Sequence, residues 1–252
     1  MLRVLYLIYF WLIVFPVFFV LTMLCALVTF IGCTLGGSKW FSFYPGMVWS
    51  RAALWLTLCP IEIRGKENLK DKKGPYVVVA NHQGAFDIFM MYGYLGIRFK
   101  WVMKEGIKKI PFVGVACKAA GFIFVDGHKR SSINNTMIAA KRVLAENTSI
   151  FIFPEGSRTK TGRMIRFKKG AFVMANELQV PIVPISIDGS FNVLPIGKIS
   201  PRPHKLILTI HPQIRMEEMG IYPMNIQYTA REAQARIASV LLNEQECNET
   251  GN

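Results

Sequence analysis

Residues 76–87 read Tyr-Val-Val-Val-Ala-Asn-His-Gln-Gly-Ala-Phe-Asp, and this stretch decides how the chain is built. Tyr76 to Ala80 is a short apolar run bounded by Gly74-Pro75 and Asn81, with the β-branched composition of a buried strand. Residues 84–95 then carry helical patterning. His82 and Asp87 stand five positions apart. At about 100° per residue they would lie on nearly opposite sides of one continuous helix. They meet only if His82 sits on a non-helical approach and Asp87 lies in the first turns of the helix. That is the arrangement of a base and its orienting acid at the mouth of a strand-to-helix turn.

The same alternation continues outward. Residues 61–64, 99–103, 122–125, 149–153, 183–187 and 205–210 read as strands. Residues 113–120 form a predicted short helix that Gly121 closes, residues 131–146 a longer one with Ser131 or Ser132 as N-cap, residues 170–177 another, and residues 228–243 a C-terminal helix. Strands alternating with helices predict an α/β fold with a largely parallel central sheet flanked by helices. A polar, basic loop covers residues 154–167.

The front of the chain is different. No charge occurs between Arg3 and Lys39. Residues 4–31 as a helix would be roughly 40 Å long, more than the ~30 Å hydrocarbon core of a bilayer. The run is too long for a signal-peptide core, and no small-x-small cleavage site clearly ends it. Residues 40–59 are apolar and aromatic, with Arg51 as their only charge and Trp40, Tyr44, Trp49 and Trp55 suited to a membrane interface. Pro16 and Pro45 kink these helices or fall at turns. Two layouts fit: a spanning first helix with the second in the interface, or a re-entrant hairpin in one leaflet. Lys39, Arg51, Arg64 and Lys66 follow the first helix, which puts them on the cytoplasmic side. The expected organisation is a membrane-embedded two-helix segment over residues 1–59, then a cytoplasmic α/β domain over residues 60–252, on the inner (cytoplasmic) membrane.

Net charge is +14, from 30 Lys and Arg against 16 Asp and Glu. An anionic membrane lipid surface suits a tethered basic domain, and phosphate-bearing substrates benefit from the same field. Nucleic acid is disfavoured, because no recognisable motif accompanies the basic residues. The five cysteines include no CxxC pair and indicate neither a disulfide framework nor a zinc site. No metal or cofactor is expected.

Histidine is the side chain that takes up a proton near neutral pH, and a carboxylate beside it selects its tautomer. A second constellation, Phe151-Ile152-Phe153-Pro154-Glu155-Gly156-Ser157-Arg158-Thr159, runs from a buried strand into a polar loop. Arg158 supplies a planar fork for phosphate, and Gly156 lets backbone approach a ligand. Loops at the carboxyl ends of parallel strands are where α/β proteins bind ligands. Lys160, Arg163, Arg166, Lys168 and Lys169 extend the basic run and read mostly as a solvated surface.

Four blocks in order resemble the glycerolipid acyltransferases. Asn81-His82 to Asp87 is similar to their NHx4D motif. Phe153-Pro154-Glu155-Gly156-Ser157-Arg158 resembles FPEGTR, with Ser157 where Thr is usual. Gly121 to Asp126 looks like GxxFIDR, and Val180-Pro181-Ile182-Val183-Pro184 like VPIVPV. The resemblance covers residues 61–200, and its closest group is 1-acyl-sn-glycerol-3-phosphate acyltransferase. It implies a phosphatidic-acid-forming enzyme whose acceptor is lysophosphatidic acid and whose donor is acyl-CoA or acyl-carrier protein. His82 would deprotonate the glycerol hydroxyl, Asp87 would hold His82, and Glu155, Gly156, Ser157 and Arg158 would bind the glycerol-phosphate end. Lys104, after a strand, is a second phosphate candidate. An acyl tunnel would draw on residues such as Phe112, Phe122 and Phe124. The resemblance also implies a two-helix motif in one leaflet, the re-entrant layout. Where the second block usually has Arg after its Asp, this chain has Gly127, and Arg130 is the candidate for that role through a longer turn. Alternatives are the same chemistry on another lysolipid, such as a lyso-ornithine lipid, and a non-catalytic lipid-binding protein.

Overall fold

The computed structural model describes residues 1–69, 74–126 and 131–241. Its strands are β1 (Ile61–Arg64), β2 (Val77–Ala80), β3 (Phe99–Lys104), β4 (Ile123–Val125), β5 (Ser149–Ile152), β6 (Ile182–Asp188) and β7 (Leu206–Ile210). They form one seven-stranded sheet in the order β1-β7-β6-β2-β5-β3-β4. Pairing is parallel throughout except between β6 and β7, where Ile187 lies opposite Leu208. That exception places the start of β7 at the edge where β2 and β6 end.

β2 sits in the middle because it can be dry on both faces. Val77, Val78, Val79 and Ala80 are all fully buried. Val78 and Ala80 point into a core shared with α4 (Tyr44–Leu56) and α5 (Phe86–Tyr94). Val77 and Val79 face α7 (Ser131–Ala145), α8 (Gly170–Glu177) and α10 (Met224–Ala238). A continuous Val run is what a central parallel strand covered on both sides requires.

At the front, α1 (Leu2–Tyr9), a π-helical turn at Phe10–Val14 and α2 (Phe15–Thr34) continue as one helix, Leu2–Thr34. Pro16 removes an amide from the helical ladder just after the π-helical turn. A short α3 (Ser38–Phe41) then reverses the chain into α4. The long helix lies against the domain. Tyr6 and Tyr9 donate hydroxyls to the carbonyls of Thr57 and Leu56 at 3.3 and 3.0 Å. Trp49 Nε1 donates to Thr22 Oγ1 at 2.9 Å, and the Trp49 ring packs on Phe18 and Phe89. α2 also packs on α6 (Val113–Ala119).

The expected elements are present with shifted ends. The helix after His82 begins at Phe86 rather than Gly84, because the amide of Gly84 turns to a side chain rather than entering the helical ladder. The C-terminal helix begins at Met224 rather than residue 228, and its added turn buries Asn225 and Ile226. Phe112 points outward, 66% exposed, while Phe122 packs against Tyr92 and Phe124 lies under the Lys108 ammonium.

Candidate active site

The exit of β2 is pinned before any chemistry begins. The buried Asn81 side chain continues the β2–β6 pairing: its Nδ2 donates to Ile187 O, and Ile187 N donates to its Oδ1, both at 2.8 Å. Next, His82 N donates to Glu155 Oε1 at 2.7 Å, and His82 O accepts from Thr159 N at 2.9 Å. The backbone of His82 is therefore held between β2 and the loop after β5. Its imidazole stacks on Phe153, with ring centroids 3.8 Å apart and planes inclined by 7°.

His82 Nδ1 lies 2.6 Å from Asp87 Oδ2, with Asp87 as the second residue of α5. The pair thus meets across the irregular turn 81–85. A carboxylate at Nδ1 selects the tautomer that carries its proton there, which leaves Nε2 as the basic nitrogen. The His82 side chain keeps 15% of its exposure, whereas Asp87 has none. A buried carboxylate is tolerated only with donors around it. Asp87 has three: His82 Nδ1 and Gly84 N at Oδ2, and the Ser190 hydroxyl at Oδ1.

Ser190 is the residue that the sequence reading missed. It opens α9 (Ser190–Val193), directly after Gly189 in the left-handed conformation at the end of β6. It is fully buried and stands 103 positions from Asp87. The available signal was the Asp188-Gly189-Ser190 turn closing an apolar run next to β2. Packing there is tight: a Cβ on Gly84 would stand 2.8 Å from Ser190 O.

Glu155 is 3% exposed. Its carboxylate accepts the amides of His82 and, at 2.9 Å, Ile165, so it braces the basic loop against the histidine. Gly156 has φ +75°, and a Cβ there would come within 2.7 Å of Lys168 Nζ. Lys168 is exposed, and its ammonium lies beside Gly156, a second placement that sequence missed. Ser157 and Arg158 are exposed, immediately before the Thr159 amide that holds His82. Lys104 closes β3 on the same carboxyl edge and is exposed. Neither Lys104 nor Arg158 has a side-chain partner among the described residues. Arg130 and Gly127 lie outside the described residues.

This edge combines an oriented histidine, a fully satisfied carboxylate and cations with no side-chain partner among the described residues. A family model described as Acyltransferase matches residues 60–188, just over half of the chain, and the chain belongs to the acyltransferase family. The matched span holds His82, Asp87, Glu155 and Arg158 and stops two residues short of Ser190.

Among relatives, the chloroplastic 1-acyl-sn-glycerol-3-phosphate acyltransferase of Arabidopsis thaliana is 36% identical over 151 residues, 58% of this chain and 42% of that protein. The 1-acyl-sn-glycerol-3-phosphate acyltransferase alpha of Homo sapiens is 37% identical over 126 residues, 50% of this chain and 44% of that protein. The matches thus span under half the length of these curated relatives. The crystal structure of the 1-acyl-sn-glycerophosphate acyltransferase PlsC from Thermotoga maritima shares the fold, with a TM-score of 0.67 at 23% identity over 87% of this chain and 95% of that one.

Proposed function

We propose that the chain transfers a fatty acyl group from a thioester donor, acyl-CoA or acyl-carrier protein, to the free glycerol hydroxyl of lysophosphatidic acid, giving phosphatidic acid. The observation that carries this reading is the His82–Asp87 pair, with Nδ1 engaged and Nε2 left as a base at a cationic edge. In this mechanism Nε2 accepts the hydroxyl proton as the oxygen attacks the thioester carbonyl. The tetrahedral adduct then expels the thiolate, which takes the proton back from Nε2, so no acyl-enzyme forms. Asp87 holds the ring and stabilises its charged form through the transfer. A positioned base supplies roughly 10²–10⁴ in rate, and the remainder comes from holding both substrates together.

Arg158, Lys104 and Lys168 beside Gly156 support a phosphate-bearing acceptor, and Arg130 stays a proposal for the same group. Residues 1–59 are proposed as the membrane segment and 60–252 as the catalytic domain. The helix Leu2–Thr34, with a mean hydropathy of 2.7 in its most apolar window, supports membrane residence. Its attachment along α4 and α6 favours the re-entrant layout, with the active edge on the cytoplasmic side.

The test is phosphatidic acid formation by purified protein from lysophosphatidic acid and a series of acyl-CoA and acyl-carrier-protein donors. Turnover retained in folded His82→Ala protein would sink the reading. A panel of other lysolipids, lyso-ornithine lipid included, checks the acceptor: equal rates across the panel would overturn lysophosphatidic acid as the preferred one.

A further inference from the structure

A cleft of about 310 Å³ opens between the amino-terminal turns of α1 and the Ser200–Pro203 loop. Its walls include Leu2, Leu7, Pro201 and Pro203, and its charged lining residues are Arg3 and Arg202. No acidic residue lines it, and neither guanidinium has a partner among the described residues. Two exposed arginines without side-chain partners, beside an apolar floor, suit an anionic head carrying hydrocarbon. The surroundings agree: Leu2 is 81% exposed, and Ile199, just before the loop, is 77% exposed.

The cleft lies at a definite place in the fold. Because β7 runs against β6, the loop entering β7 stands at the edge where β2 and β6 end, which is the edge that carries His82. Arg202 N donates to Val193 O at 2.9 Å, and Val193 belongs to α9, whose first residue holds Asp87. The other wall is fixed by Tyr6, bonded to Thr57 O. The cleft is thus built from the start of the long apolar helix and a loop tied to the catalytic edge.

We infer that this cleft binds one anionic membrane phospholipid, its phosphate between Arg3 and Arg202 and the start of its acyl chain along Leu2 and Leu7. Its lining shares no residue with those assigned to the acceptor, and the loop's bond to Val193 couples a resident lipid to α9. Free phosphates are disfavoured as occupants because the walls are hydrocarbon-like.

The experiment titrates the full chain, in non-ionic detergent, with fluorescent phosphatidylglycerol, with phosphatidylcholine as zwitterionic control and CoA and inorganic phosphate as competitors. Wild type is expected to bind phosphatidylglycerol more tightly than phosphatidylcholine, with neither competitor displacing it at equimolar amounts. Arg3→Gln/Arg202→Gln is expected to lose roughly ten-fold in phosphatidylglycerol affinity, as befits two charge-assisted contacts. Leu7→Trp, which fills the cleft without changing charge, is expected to lose a similar factor. His82→Ala is expected to bind like wild type, so a failed catalytic reading leaves this result intact. Unchanged affinity in the double-arginine variant, displacement by CoA or phosphate, or equal binding of phosphatidylcholine overturns the proposal. A raised KM for lysophosphatidic acid in that variant with unaltered phosphatidylglycerol binding would assign the arginines to the acceptor instead.

Discussion

Among the described residues, two histidines face a hydroxyl-bearing network, and one of them is arranged as a base. His82 lies at the carboxyl edge of β2, has a carboxylate at Nδ1 and is partly open. His211 lies just beyond β7, is 8% exposed, and has its Nε2 2.7 Å from Ser186 Oγ. A serine and a histidine at that distance resemble a nucleophile and its base. The rest of the network argues otherwise. Ser186 donates its one proton to Ile237 O at 2.8 Å, so His211 must donate Nε2–H to Ser186. The His211 ring is a buried donor that ties β6, β7 and α10 together. Burial first, and then the charge of Arg236, push its pKa below 6.5. A histidine becomes a candidate base here through a carboxylate on one nitrogen and an opening at the other, and nearness to a hydroxyl is not enough.

The comparison breaks most sharply on activity. His82→Ala is expected to lower kcat/KM by roughly 10²–10⁴ in protein that still folds, whereas His211→Ala leaves kcat/KM within a few-fold. Steady-state kinetics on both variants would expose a mistake in either direction. Ser190→Ala comes next. Removing one of three donors from a buried carboxylate should cost roughly ten-fold in kcat with KM unchanged, since the hydroxyl acts through Asp87 and not on the lipid. A KM effect instead would move Ser190 into the substrate site.

Stability should show the reverse asymmetry. His211→Ala is expected to destabilise by about 1–3 kcal/mol in urea unfolding, because Ser186 and its neighbours lose a buried donor. The smallest effect is on pH. With a folded pKa below 6.5, the unfolded chain binds more protons as pH falls through 6.5. Stability therefore drops below that pH, by at most about 1.4 kcal/mol per unit, until the folded ring also titrates. Above 6.5 the contribution is complete. His211→Gln should flatten this limb of the stability profile, and a profile unchanged by the substitution would show that other groups set it.

Much of the site was legible in residues 76–87. An all-apolar β-branched run, a polar exit and a spacing of five confine His82 and Asp87 to a strand-to-helix turn through local geometry alone. The ordered motifs carried the family, and the uncharged front marked the long apolar helix. Less was legible at Glu155, which reads as a ligand-facing acid in a polar loop and stands in the structure as a buried brace between His82 and Ile165. Lys168 is one cation among many in the sequence, and only the fold brings its ammonium beside Gly156.

The sequence by itself determined which segments become strands and helices, and that His82 must leave the helix to reach Asp87. Those outcomes depend on sterics and hydrophobic patterning within a few residues. Only the tertiary structure decided that Ser190 completes the carboxylate's partners, that β7 runs against β6, and that Arg3 and Arg202 face one cleft. Each of these joins residues a hundred or more positions apart or turns on strand order. Such contacts are selected by the packing of the whole sheet and its helices, which no local pattern encodes.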